Sequence, residues 1–195
     1  YARGYNNLVR DMRTDPKLAR KLLGKMVDVG EAIHDFYDEL LGNEQPSQVG
    51  SVDLYDNFLG HFSPSLIREF VLPHYREWAL KYGWENWTLS SQCVLNPYLG
   101  IMEEVPTNCI TFLTSSSDLR LFKSTFAPKR VWIKVAYESS PMLNNMPQKV
   151  EEECERIIGI MSPGGGFIMG TACLDWRTPD LNIRTFVHTA KQWKQ

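Results

Sequence analysis

Five apolar strand candidates, each followed by a helical pattern, recur along this chain at a spacing of ~30 residues, the length of one strand–helix–strand unit. The strands are read at Val49 to Tyr55, Trp87 to Leu89, Cys109 to Leu113, Val131 to Val135 and Phe167 to Met169. The helices begin at Ser63-Pro64 (closing at Gly83), Pro97 (to Glu104), Asp118 (to Phe126), Pro147 (to Met161) and Thr178-Pro179. Most of these starts pair a capping residue or a helix-compatible proline with an apolar periodicity of three and four. A longer helix precedes the series. It is capped at Asp15-Pro16 and carries Leu18, Leu22, Met26, Val29, Ile33, Phe36 and Leu40 on one face before stopping near Gly42-Asn43. Strict alternation of this kind predicts an α/β fold, a parallel sheet with helices outside it.

Two architectures satisfy that pattern, an open doubly wound sheet and part of a (β/α)8 barrel. No GxGxxG or GxxxxGK[ST] loop follows any strand, which removes the usual nucleotide-binding form of the first. Gly164-Gly165-Gly166 precedes its strand and reads as a tight helix-to-strand turn. A complete barrel takes ~250 residues, so five units in 195 residues predict the C-terminal five of eight, with residues 1–195 as one partial-barrel domain. The expectation is that the first strands come from an N-terminal portion absent from this chain, from a second chain, or from another copy. Open sheet edges are costly to leave uncovered.

Lys plus Arg number 21 and Asp plus Glu 23, a net charge of −2 that argues against a nucleic-acid binder. No apolar run approaches the ~18 residues of a membrane span. The four cysteines form no CxxC pair and no signal peptide is visible, which predicts free thiols in a reducing, cytoplasmic setting.

In a barrel the reactive groups lie just past the strands. Here those places are Tyr55-Asp56-Asn57, Ser90-Ser91-Gln92-Cys93, Thr114 to Ser117, Tyr137-Glu138-Ser139 and Gly170-Thr171-Ala172-Cys173. Asp56 reads equally as a ligand-facing carboxylate and as a turn cap. Glu138 reads as a substrate hydrogen-bond acceptor or a loop ion pair. Cys93 and Cys173 are soft ligands suited to Zn²⁺, yet a catalytic zinc takes three protein ligands. Two unremarkable free thiols is the competing reading. Ser115 to Ser117 reads first as a capping cluster for the helix at Asp118, and Trp84 with Trp87 as packing. Cys109 and Cys154 read as core fillers. A Ser-His-Asp hydrolase has no GxSxG elbow here.

Several segments together resemble the uroporphyrinogen decarboxylase superfamily, which includes zinc-dependent cobamide methyltransferases. Leu54 to Pro64 is similar to its strand-loop-helix signature, and Phe70-Val71-Leu72-Pro73-His74-Tyr75 to its Phe-x-x-Pro-Tyr helix. Arg3-Gly4-Tyr5 through Asp15-Pro16, and Gly170 to Asn182, look like the family's corresponding junctions. The resemblance implies a (β/α)8 barrel with Tyr55, Asp56 and Asn57 as catalytic residues and Ser91, Glu138 and Thr171 as substrate contacts. It assigns Cys93 and Cys173 as metal ligands. Decarboxylases of the family have a serine at Asn57 and a histidine near Thr171. Methyltransferases bind zinc through His-x-Cys and a later cysteine; Cys93 matches the first cysteine, but Ser91 stands at the histidine. Cys173 matches the second, one residue short in its spacing to Thr178-Pro179.

The thiols favour a methyltransferase-like enzyme using zinc and a corrinoid carried by a partner protein. The alternatives are decarboxylation of a tetrapyrrole and a non-catalytic binding or assembly role. The open sheet edges also predict a homo-oligomer or a completing chain as partner.

Overall fold

The computed structural model describes residues 3–42, 52–57, 59–83, 87–113 and 117–193. The expected strand start at Val49 to Ser51, the Thr114 to Ser116 stretch and Trp84 lie outside those residues. Strands β1 (Val52–Tyr55), β2 (Trp87–Ser91), β3 (Cys109–Leu113), β4 (Trp132–Tyr137) and β5 (Phe167–Thr171) form one sheet. Their spatial order is β1-β2-β3-β4-β5, and every neighbouring pair is parallel. This decides between the two architectures. A doubly wound sheet reverses its strand order at a switch point, whereas a barrel adds each strand beside the last. The sheet is an arc of a (β/α)8 barrel.

Register separates its two faces. Leu54, Leu89, Ile110, Ile133 and Phe167 lie side by side across the five strands. Leu89, Ile110 and Ile133 are fully buried beneath the helices. One residue further along, Tyr55, Ser90, Thr111, Lys134 and Ile168 form the next row and face the other way, into the barrel. On the helical side Phe112 of β3 stacks on Phe122, with ring centroids 4.2 Å apart, and Tyr137 of β4 meets Phe186 at 5.8 Å.

Helix α1 (Tyr5–Thr14) is added by the structure; Tyr5, Leu8, Val9 and Met12 recur along it at steps of three and four, with Met12 buried in the core. Helix α2 (Pro16–Leu41) has the expected limits: the Asp15 carboxylate accepts from Leu18 N, and Gly42 ends it with φ 71°. Its apolar face is largely open, with Met26, Ile33, Phe36 and Leu40 each more than half exposed. The physical reason is that, among the described residues, β1 is the edge of the sheet and no further strand is present to cover the second half of α2.

After β1, Ser63 caps α3 (Pro64–Leu66), a π-helical stretch Ile67–Val71 follows, and α4 (Leu72–Tyr82) continues to Gly83. Pro73 has no N–H to donate, and just ahead of it Leu72 N reaches back five residues to Ile67 O. Helix α5 (Leu99–Met102) follows β2, and α6 (Leu119–Phe126), capped by Asp118, follows β3. Two helices, α7 (Ser139–Asn144) and α8 (Pro147–Met161), follow β4, where the sequence indicated only the second. All three glycines before β5 have positive φ, which only glycine adopts freely, confirming the turn. Helix α9 (Asp180–Gln192) closes the chain, and Asn182 fastens it by donating to the carbonyls of Met142 and Asn145 at 2.8 Å. Among the described residues no helix is long and apolar enough to cross a membrane.

Candidate functional site

The C-terminal ends of β1 and β2 are tied into one rim. Asp56 N donates to Ser90 O at 2.9 Å, carrying the ladder one residue past β1. Gln92 N donates to Asn57 Oδ1 at 3.0 Å, and Gln92 Nε2 donates to Tyr55 Oη at 2.5 Å. Cys93 N donates to Ser91 Oγ at 3.2 Å, and the Cys93 thiol donates to Asn57 O at 2.8 Å. Tyr98 Oη fixes the opposite side of the loop by donating to Gly60 O at 2.9 Å. Gly60 is required for this closeness, since a Cβ there would stand 2.7 Å from Cys93 Cβ and 3.1 Å from its sulfur.

The charged centre of the rim is Asp56. Tyr75 Oη, on α4, donates to Asp56 Oδ2 at 2.5 Å. Burial first, then the Asp56 charge and hydrogen bond, and then Cys93, push the Tyr75 phenol well above its usual range. Tyr75 therefore keeps its proton and acts as a fixed donor to the carboxylate. The helix start at Ser63-Pro64 sends α3 and α4 back along the outside of β1, which is what delivers Tyr75 to this point. Behind the pair lies an apolar cavity of about 490 Å³ between β1, α2 and α4, walled by Leu54, Met26, Phe70 and Trp78, with Asp56 and Tyr75 on its border.

Five of the sequence-derived residues thus gather at one rim: Tyr55, Asp56, Asn57, Ser91 and Cys93, with Gln92 added by the structure. The others stand at the β4–β5 end of the arc. Glu138 is half-buried at the N-terminus of α7, and Thr171 is the half-buried last residue of β5. Ala172 N donates to Tyr137 O at 2.8 Å, and Cys173 is exposed. Beyond it Arg177 binds Asp175 through two nitrogens and holds that carboxyl at about 2. The cap of α6 is Asp118, through Arg120 N and Leu121 N, whereas Ser117 Oγ, expected to help cap this helix, instead accepts from Leu95 N at 3.3 Å; Ser115 and Ser116 lie outside the described residues.

The residues present do not by themselves make a zinc site. Among the described residues no three His, Cys, Asp or Glu side chains are grouped to hold a metal ion. Cys93 and Cys173 follow β2 and β5, which β3 and β4 separate in the sheet. At the histidine position Ser91 is buried and its oxygen is engaged by Cys93 N.

Sequence reasoning missed Tyr75 as a functional group, although it stands in the Phe-x-x-Pro-containing segment that carried part of the resemblance. It also missed Gly60 and Gln92, whose roles depend on two loops meeting and leave no pattern within either.

The sequence model of the family described as uroporphyrinogen decarboxylase (URO-D) matches residues 1–193. A methyltransferase from Methanosarcina mazei has a similar fold, with a TM-score of 0.77 at 13% identity over 96% of this chain. The match covers 53% of that protein, so this chain spans about half its length. Comparison with curated proteins by sequence finds no match.

Proposed function

The chain belongs to the uroporphyrinogen decarboxylase (URO-D) family, and from that premise we propose that it carries a methyltransferase-like active site centred on the β1–β2 rim. The observation that carries this reading is the meeting of a thiol and an oriented carboxylate on one pair of loops: Cys93 on Asn57, and Asp56 on Tyr75. The methyltransferase fold of the M. mazei protein supports it.

Methyl transfer to a thiol forms a sulfur–carbon bond, breaks the donor–methyl bond and sends that bond's electron pair away with the donor. The acceptor thiol must also lose its proton. Asp56 takes that proton, and Tyr75 fixes the direction in which the carboxylate faces. A positioned base of this kind contributes ~10²–10⁴-fold. Tyr55, Asn57 and Gln92 shape the floor beneath the reacting groups, and Ser91 holds the backbone of Cys93 in place. Glu138 and Thr171 contact the far side of the substrate. The family resemblance supports a corrinoid-carried methyl group, presented by a partner protein, as the donor. Zinc assistance through Cys93 and Cys173 needs at least one ligand more than these two thiols, and no step above depends on it.

The test is to incubate the chain with methylcobalamin and 2-mercaptoethanol and follow loss of the methyl–cobalt absorbance. Protein-dependent transfer that falls at least ~10²-fold in Asp56→Asn is expected. Carbon dioxide release from a porphyrinogen without methyl transfer would overturn the proposal in favour of decarboxylation. Absence of both reactions from folded protein would overturn it in favour of a binding role.

A further inference from the structure

The loop after β1 is held from two sides by tyrosine hydroxyls on adjacent carbonyls. From the β2 side Tyr98 Oη donates to Gly60 O at 2.9 Å. From the other side Tyr5, the first residue of α1, donates through its Oη to His61 O at 2.8 Å, across 56 residues of sequence. Its ring also meets the His61 ring edge-on at 5.6 Å between centroids and the Phe62 ring at 5.8 Å. The turn between the two tyrosines, Leu59–His61, is rooted by Leu59, which is fully buried. Helix α1 is itself firmly placed. Gly4, with φ 75°, precedes the helix, and Arg3 beyond it binds both carboxylate oxygens of buried Asp11 at 2.6 and 3.1 Å. Met12 is buried in the core, and Leu8 and Val9 pack against it. Tyr5 is thus an arm on a fixed base.

The turn that Tyr5 holds lies against the thiol of Cys93. A Cβ on Gly60 would stand 3.1 Å from Cys93 Sγ, so the turn itself covers that side of the sulfur. Cys93 is also held on Asn57 O, at the start of the same loop. Any shift of the turn therefore changes both the cover on the thiol and the loop on which it rests. The Tyr5–His61 bond lies at the surface, where water replaces a lost donor at little cost in stability. Its consequence is position, and a misplacement of ~1 Å near reacting groups costs up to ~10²-fold in rate. We propose that Tyr5 is a positioning residue: through it, α1 clamps the Leu59–His61 turn against the β2 loop and fixes the Cys93 thiol on the rim. The proposal rests on the reading of that rim as the methyl-transferring site, but the clamp is measurable without the reaction.

The experiment follows iodoacetamide modification of each cysteine by peptide mass spectrometry in the 195-residue chain, for the wild type and for Tyr5→Phe. Phenylalanine keeps the ring contacts and removes only the donor. Cys93 should react ~3–10-fold faster in Tyr5→Phe, the change in local opening that one hydrogen bond governs. Exposed Cys173 should keep its rate and buried Cys154 should stay unreactive. In transfer from methylcobalamin to 2-mercaptoethanol, kcat should fall ~3-fold or more with KM unchanged, the mark of an effect on the reacting groups and not on substrate binding. An unchanged Cys93 rate would overturn the clamp. Faster Cys154 beside faster Cys93 would make Tyr5 a general structural contact, and faster Cys93 with unchanged kcat would remove its positioning role; either result overturns the proposal. A wild type that transfers no methyl group while Tyr5→Phe still uncovers Cys93 would count against the methyl-transfer reading and support the clamp.

Discussion

Gly60→Ala is the substitution through which the packing of the β1–β2 rim is most directly measured. The new methyl carbon would stand 2.7 Å from Cys93 Cβ and 3.8 Å from its Cα, where ordinary contact begins at 3.4 Å. The shortfall of about 0.7 Å falls on a β-carbon held by backbone, because Cys93 is anchored through its amide to Ser91 and through its thiol to Asn57. Forcing an extra carbon into such a site costs ~1–3 kcal/mol. Glycine-to-alanine replacement in an unstrained backbone opposes this by ~0.4–1 kcal/mol through the unfolded chain, and Gly60 does not have a positive φ. The net expectation is a loss of about 1–2 kcal/mol, or ~2–8 °C in melting temperature for a domain of this size. The sign should reverse in a Cys93→Gly background, where the opposing β-carbon is gone and only the gain of ~0.4–1 kcal/mol remains. Thermal melts of the four proteins in this double-mutant cycle measure the coupling. Equal effects of Gly60→Ala in both backgrounds would refute the contact.

Other consequences follow from the same geometry. Tyr75 is raised above the ordinary tyrosine range by burial and by Asp56. Its contribution to stability is therefore intact below about pH 10 and is lost as pH rises further, when the unfolded chain releases a proton that the folded one keeps. Chemical denaturation across alkaline pH should show that decline in the wild type and a shallower one in Tyr75→Phe; equal slopes would contradict the buried Tyr75–Asp56 pair. Thiol labelling near pH 8 should modify exposed Cys173 first and Cys93 more slowly. Cys154, pushed up to about 12 by burial and then by Glu153, Glu151 and Glu155, should react only on unfolding; early labelling of Cys154 would contradict the α8 packing. Asn182→Ala removes two hydrogen bonds at a position 1% exposed and strands two carbonyls. About 2 kcal/mol of stability should be lost in urea denaturation, and a change below ~0.5 kcal/mol would contradict its role in fastening α9.

The strand–helix alternation was legible because each element carries its own local signal. Cys109–Leu113 and Pro147–Met161 match the sequence limits residue for residue, the first bounded by polar neighbours and the second by Pro147 and Ser162. Strands β2, β4 and β5 each end two residues further than their apolar cores suggest. Ser90, Ser91, Tyr137 and Thr171 join the ladder through backbone groups, whatever their side chains. The exposure of the α2 face was not legible for a different reason. Periodicity reveals that a helix has an apolar face, but the surface opposite that face belongs to other segments. The candidate site was half legible. Asp56, Asn57 and Cys93 were marked by their places after strands, whereas Tyr75 is brought to Asp56 from 19 residues away by a helix whose interior proline shifts its turn. Only the folded path of that helix reveals the pair.

The central claim is that the carboxylate of Asp56, oriented by Tyr75, is the reacting base of a methyl-transferring rim. Its most direct test is kcat for methyl transfer in Asp56→Asn beside the melting temperature of the same protein. The amide oxygen of asparagine still accepts from the Tyr75 hydroxyl, so the fold is retained while the proton acceptor is lost. The account predicts a fall in kcat of ~10²-fold or more with little change in melting temperature. An unchanged kcat accompanied by a clear drop in melting temperature would contradict it and make Asp56 a cap for the loop after β1.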